Sequence, residues 1–333
     1  MDLLLYTYLI GSFSLLNALL VIGTSDSHMF DNNTLALNII LHSKPSSIFV
    51  YTDTDNLIQG SSLLALKGYP KNVVYNRVPK SASTTLRYLF RDQAASRGFT
   101  ILNKEIYVPF LLPVDIQREV ASELESAKAP ALYERHMYFI NFDDFQKPQP
   151  VYINVVRDPI QQVISAYYYS RETCINEQRC YFNTTFVNET LDDCVRSRSA
   201  SECVSASQGV SPILPFFCGN LVACEENKTF ALQQAKQNII DYYTVIGIVE
   251  ELYNFLFVLE HMMPKYFANI CRTYMANGMR KENVRSKETK NNEPSESAKT
   301  LLRAALADEY DLYEFIKRRF NIQFQQVLQN LAI

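Results

Sequence analysis

The segment KNVVYNRV, residues 71–78, is a β-branched and aromatic run that stops at Pro79 and opens into Lys80, Ser81, Ala82, Ser83 and Thr84. Leu86, Tyr88, Leu89 and Phe90 then recur at roughly helical spacing. Such a run specifies a buried strand, and the spacing after it specifies a helix that reaches Gly98, with Ser81 or Ser83 as its N-cap. QPVYINVVRDP at 149–159 repeats the pattern of a strand ending in Arg and Pro, and IQQVISAYYYSRE continues as helix. TFALQQAKQNIIDYY, TVIGIV and EELYNFLFVLEHMM add helix, strand and helix. Repetition of strand, loop and helix demands an α/β fold with a central parallel sheet flanked by helices, whose ligands sit at the carboxyl ends of the strands.

With 333 residues, 47% hydrophobic and 20% charged, the chain holds enough apolar material for one large domain or two ordinary ones. A formal net charge of −3 supplies no global field for nucleic acid, so an anionic ligand must be held by a local cluster of Arg and Lys. From Leu3 to Ile22 no side chain is charged, and about 20 apolar residues span a bilayer core. Residues 1–23 therefore read as a membrane anchor. A cleaved signal peptide is the alternative, disfavoured by the length of the run. No Lys or Arg flanks the segment to set its orientation.

Both readings place the remainder in the secretory lumen. Glycosylation sequons stand at Asn32, Asn183, Asn188 and Asn227. Six of seven cysteines fall in close sequence pairs, Cys174 with Cys180, Cys194 with Cys203 and Cys218 with Cys224, leaving Cys271 as a buried thiol or, less favoured, an intermolecular bridge. Zinc would prefer CxxC spacing with nearby His, so disulfides in an oxidising compartment are the favoured reading. Residues 24–69 read as a luminal stem and 70–333 as the main domain, with a polar, cysteine-rich insert at about 171–224. This insert is expected to be a stapled excursion rather than core. A basic loop covers 280–297, and AKTLLRAALADEYDLYEFIKRRF is expected as one periodic terminal helix.

A strand that opens into a helix N-terminus presents unpaired N–H groups and the positive end of a dipole to an anion. Lys80 and the hydroxyls of the first loop suit a phosphate or sulfate there, although a solvated helix cap explains the same residues. A nucleoside triphosphate P-loop is disfavoured, because residues 70–85 contain no glycine. In the second unit Arg157 directly follows the strand and Ser165 stands one to two turns into the helix, a pair able to clamp another phosphate. Asp158 either orients Arg157 or caps the helix. Two such sites suit a nucleotide with separated phosphate groups.

RVPKSAST and INVVRDP followed by Ser165 resemble the 5′- and 3′-phosphosulfate loops of Golgi carbohydrate sulfotransferases, which use 3′-phosphoadenosine 5′-phosphosulfate (PAPS). ERHMYFINFDDF, LPFFCGN, QAKQN, VIGIVEEL and the EYDLYEF helix follow in the same order as in the uronosyl 2-O-sulfotransferases, across roughly residues 70–325. The resemblance implies a P-loop-like, PAPS-dependent fold and sulfate transfer to the 2-hydroxyl of a uronic acid in heparan, dermatan or chondroitin sulfate. It assigns Lys80, with Ser81, Ala82, Ser83 and Thr84, to the 5′-phosphosulfate, and Arg157 with Ser165 to the 3′-phosphate. His136 becomes the catalytic base, Arg77 an acceptor-side cation, and Arg285 and Lys287 ligand contacts from the basic loop. Family disulfides map onto Cys194–Cys203 and Cys218–Cys224. Lys80 also stabilises charge on the leaving phosphate, and no metal is required.

By residue type alone, a histidine among aromatics is more often structural than catalytic, and only the aligned motif reverses that for His136. The YYY at 167–169 reads as helix packing, with one face able to line the cleft. Where the heparan enzymes carry a further histidine, this chain has Glu134. That departure leaves the acceptor open between heparan and chondroitin or dermatan sulfate. The resemblance also implies a Golgi, single-pass type II protein and a homo-oligomer, although no periodic feature specifies one. A noncatalytic glycan-binding protein on the same fold is the rival reading.

Overall fold

The structure is a computed structural model, described here for residues 63–103, 110–128, 130–180, 182–276 and 293–332. Its frame is one parallel sheet of β1 (Tyr69–Asn76), β2 (Thr100–Asn103), β3 (Ala131–Arg135), β4 (Pro150–Val156) and β5 (Tyr243–Ile248), in the order β2-β3-β1-β4-β5. Register sets Tyr75 opposite both Glu134 of β3 and Ile153 of β4, so three carboxyl ends lie side by side. Helix α1 (Ser83–Arg97) leads from β1 toward β2, while α3 (Pro159–Glu177) leaves β4 on the way to β5. The crossovers diverge between β1 and β4, a switch point of the kind at which open α/β sheets form their ligand crevice.

Helix α2 (Val114–Glu125) precedes β3. After α3 come α4 (Leu191–Ser197), α5 (Ala200–Cys203), α6 (Leu214–Cys218), α7 (Ala223–Glu226) and α8 (Lys228–Tyr242). Beyond β5 lie α9 (Leu252–Met262), α10 (Pro264–Phe267), α11 (Ile270–Ala276), α12 (Glu296–Ala305) and α13 (Ala307–Leu331). Alternation along the strands divides two apolar layers. Val74, Tyr133, Tyr152 and Ile246 pack with Phe216, Phe217, Ala235 and Ile239 on one face. On the other, Tyr75 meets Phe90 edge-on at 5.6 Å, and Phe90 lies 5.2 Å from Phe267. Gly247 lets α9 close on β5, since a Cβ there would stand 2.6 Å from the Phe255 Cβ.

The expected strands and helices form, and the sheet gains β2 and β3, which the periodicity did not reveal. Four local expectations change. Neither Ser81 nor Ser83 caps α1: the N-cap is Ala82, in left-handed conformation with no side-chain cap. The terminal helix is two helices, because the backbone turns at Leu306, with φ −103° and ψ 21°. Helix α3 runs past Arg171 to Glu177, so the insert starts later. The insert is stapled by Cys174–Cys180, Cys194–Cys203 and Cys218–Cys224, yet it also builds core: Leu191, Leu214, Phe216 and Phe217 are buried. Its polar average conceals an apolar minority that is enough to bury it. Cys271 is a buried free thiol, its pKa pushed up by burial and by Glu260.

Residues 63–68 already pack on the domain. Leu63 is buried, and the Lys67 N–H donates to the Thr244 hydroxyl at 2.8 Å. The anchor at 1–23, most of the stem, Asn32, Arg285 and Lys287 lie outside the described residues. Among the described residues, no helix is long and apolar enough to cross a membrane.

Candidate active site

The loop after β1 is tied down at both ends. Arg77 N–H donates to the Arg135 carbonyl at 2.8 Å, which locks the strand end to β3, and the helix begins when Leu86 N–H reaches the Ala82 carbonyl. Beneath the loop, Asn154 Nδ2 donates to the Asn76 carbonyl at 2.7 Å, and Asn76 Nδ2 donates to the Phe216 carbonyl at 2.9 Å. The Tyr243 hydroxyl donates to Asn76 Oδ1 at 3.0 Å, so these fully buried amides are used rather than orphaned. Between the anchors, Lys80 and Ala82 adopt φ of 61° and 56°. Left-handed backbone at non-glycine residues costs about 1–3 kcal/mol each and persists only where the surroundings enforce it. Helix α3 supplies the enforcement: Gln162 Nε2 donates to the Pro79 carbonyl at 3.3 Å, and the Lys80 ammonium lies 3.7 Å from the Tyr169 ring centroid. No side chain caps α1, which leaves its first-turn N–H groups for an anion to meet.

His136 directly follows β3, and its Nδ1 stands 2.8 Å from the Arg77 carbonyl oxygen. A carbonyl only accepts, so Nδ1 carries the proton and Nε2 keeps its lone pair. Burial pushes the imidazole pKa down to about 3, helped by Arg77, Arg87 and Lys80 and opposed by the Nδ1–H bond. The ring is thus neutral at physiological pH and surrounded by cations. Arg77 is 4% exposed, and its Nε has no hydrogen-bond partner among the described residues. Glu134 is fully buried and accepts from Arg87 Nε at 2.8 Å. Its charge also favours the protonated Arg77 guanidinium, against the opposing effect of burial.

At the next strand end Asp158 caps α3, accepting the Gln161 N–H at 3.0 Å, which resolves its role in favour of the cap. Its own N–H donates to Glu250 Oε1 at 2.9 Å, and the Tyr310 hydroxyl reaches its carboxylate at 3.2 Å. Arg157 is half-buried, its pKa lowered by burial and raised by Glu250, Asp158 and Glu293. Each of those acids also serves another donor: Glu250 takes Tyr313, and Glu293 pairs with Lys299 at 3.3 Å. Ser165 is half-buried on the α3 face that carries Gln162 and Tyr169, the two residues touching the first loop.

The structure therefore gathers Arg77, Lys80, Ser81, Ala82, Ser83, Thr84 and His136 at two adjacent strand ends and sets Arg157 and Ser165 at the third. The sequons Asn183, Asn188 and Asn227 are exposed, and Asn183 and Asn227 use their amide oxygens as helix caps. Residue reasoning missed Gln162, Arg87 and the Asn76–Asn154–Tyr243 network, and it favoured helix packing for the YYY of which Tyr169 meets Lys80. A signal existed for Gln162 and Tyr169, since Gln162, Ser165 and Tyr169 stand at i, i+3 and i+7 of one helix. The buried network carried none, because three distant residues meet only through the sheet.

The Sulfotransferase family profile matches residues 69–315, which include every element of this crevice. The chain belongs to the sulfotransferase family. Uronyl 2-sulfotransferase of Homo sapiens is 31% identical over 260 residues, 76% of this chain and 63% of that protein. Heparin sulfate O-sulfotransferase of Drosophila melanogaster is 31% identical over 266 residues, covering 77% and 74%. Heparan sulfate 2-O-sulfotransferase 1 of Xenopus laevis is 31% identical over 256 residues, covering 74% and 70%. The chain thus spans less than two thirds of the human relative's length.

Proposed function

We propose that this sulfotransferase moves a sulfuryl group from PAPS to the 2-hydroxyl of a uronic acid within a glycosaminoglycan. The observation that carries the reading is the His136 bond to the Arg77 carbonyl: it puts the proton on Nδ1 and leaves Nε2 as the basic nitrogen, within the electrostatic reach of Lys80. An acceptor hydroxyl must lose its proton as it attacks sulfur, and Nε2 receives it. PAPS supplies a sulfuryl group on a phosphosulfate anhydride. As the acceptor oxygen–sulfur bond forms and the sulfur–oxygen bond to phosphate breaks, charge grows on the phosphate, where Lys80 and the α1 N-terminus oppose it. Arg157 and Ser165 hold the 3′-phosphate by a charge-assisted fork and a hydroxyl. Arg77, buried with an Nε that has no hydrogen-bond partner among the described residues, fits an anionic occupant, since leaving such a group unmatched costs about 1–3 kcal/mol.

Arg285 and Lys287 complete the ligand contacts in this reading. Three disulfides and exposed sequons support work in the Golgi lumen, with residues 1–23 as a type II anchor. The proposed architecture keeps a stem but ends it before Leu63, since residues 63–68 pack on the domain, and the family precedent extends the proposal to a homo-oligomer. Acceptor preference follows the relatives' printed names, heparan sulfate or another uronate-bearing chain. The testing variant is His136→Gln. It should lower kcat by at least about 10³-fold while donor affinity, measured by calorimetry with adenosine 3′,5′-bisphosphate, changes less than about threefold. Full transfer by that variant would remove His136 from the chemistry.

A further inference from the structure

The three consecutive tyrosines of α3 have different fates. Tyr167 is fully buried, its hydroxyl 3.2 Å from Glu189 Oε2, and the Tyr168 hydroxyl accepts the Leu191 N–H at 3.2 Å, so both serve the insert. Tyr169 is 37% exposed, and its ring face meets the Lys80 ammonium at 3.7 Å. The contact does not stand alone. Gln162, two turns earlier on the same face, holds the carbonyl of Pro79, the residue immediately before Lys80. Lys80 has φ 61°, so the direction in which its side chain leaves the loop depends on external support. These two contacts come from α3, and Ser165 lies between them on that face.

We propose that Tyr169 is a positioning residue for Lys80, its ring holding the ammonium in the crevice so that donor phosphate meets a cation already ordered. The proposal rests on the reading of Lys80 as the cation of sulfuryl transfer. A lysine side chain has large rotamer freedom, and ordering it on binding is a cost that an aromatic platform removes in advance. The contact needs the π face and not the hydroxyl.

The test measures adenosine 3′,5′-bisphosphate affinity by calorimetry on the full chain and its variants. Tyr169→Leu should weaken binding about tenfold, and Tyr169→Phe should stay within about twofold of the parent. In a Lys80→Ala background, Tyr169→Leu should change affinity less than about twofold, because the ring acts through Lys80. Independently of any nucleotide, acylation of Lys80 by an amine-reactive ester, followed by peptide mass spectrometry, should run about threefold faster in Tyr169→Leu and unchanged in Tyr169→Phe. Equal losses in the Leu and Phe variants, a tenfold loss that persists without Lys80, or unchanged acylation would each overturn the proposal. Undiminished sulfate transfer by Lys80→Ala would instead overturn the reading beneath it, while the acylation result would still report on the contact itself.

Discussion

At His136 opposing influences meet on one imidazole. Burial and the cations Arg77, Arg87 and Lys80 disfavour the protonated ring, and the bond from Nδ1–H to the Arg77 carbonyl favours it; burial wins. In the ligand-free protein the imidazole is therefore deprotonated well below the ordinary histidine range. The pH profile of kcat/KM, which reports the free enzyme, should show no histidine-like acid limb between about pH 5 and about pH 6.5. The kcat profile should show its limb at higher pH, since the anions of a bound donor offset the same cations. A kcat/KM limb near pH 6.5 would mean that the ring is exposed or differently partnered. Arg77 contributes twice, by its backbone carbonyl and by its guanidinium. Arg77→Lys should then cost about tenfold in kcat/KM while leaving the pH profile in place, because the carbonyl that sets the tautomer survives the change.

Among the elements, α13 braces the crevice from below. In its first turn Glu309 is buried and accepts the N–H groups of Ile213 and Leu214 at 3.1 and 3.2 Å, which fixes the start of α6, and Phe216 of α6 in turn holds Asn76. Burial raises the Glu309 carboxyl pKa to about 7, against the lowering effect of those two bonds. Between its unfolded value near 4.5 and about 7 the folded chain binds a proton that the unfolded chain lacks, so this group's stabilising contribution is lost as pH rises through that window. Glu309→Gln keeps an acceptor without the charge. Its Tm relative to the parent should rise by roughly 5 °C between about pH 5 and about pH 8. A pH-independent difference would show that Glu309 stays ionised or protonated throughout. The elements that escaped sequence reading are of the same local kind. β2 has four residues and β3 five, too short for a period to register, and β3 is buried at every position, so it shows no alternation. The turn at Leu306 interrupts a helical pattern without Gly or Pro and leaves no mark in the sequence.

On the scale of the whole molecule, the strand-to-helix units made the parallel sheet legible, and adjacency of β3, β1 and β4 then brought His136, Lys80 and Arg157 to neighbouring strand ends. Order in the sheet was not legible, because it depends on which crossovers turn left or right of β1. The insert was misjudged by its average polarity: Cys218 and Cys224 staple a segment whose Phe216 and Phe217 sit in the core and whose Asn220 accepts the Leu112 N–H at 2.8 Å while donating to the Phe139 carbonyl at 2.9 Å. Replacing Cys218 and Cys224 by alanine should lower unfolding free energy by about 2–3 kcal/mol in denaturant titration. It should also weaken adenosine 3′,5′-bisphosphate binding, since α6 supports the loop after β1. No change in either quantity would detach the insert from the site. The most direct measurement of the central claim is transfer from radiolabelled PAPS by purified residues 60–333 to desulfated heparan, chondroitin and dermatan chains, followed by disaccharide analysis. The account predicts label on the uronate 2-position of at least one chain; PAPS binding without transfer to any of them would contradict it.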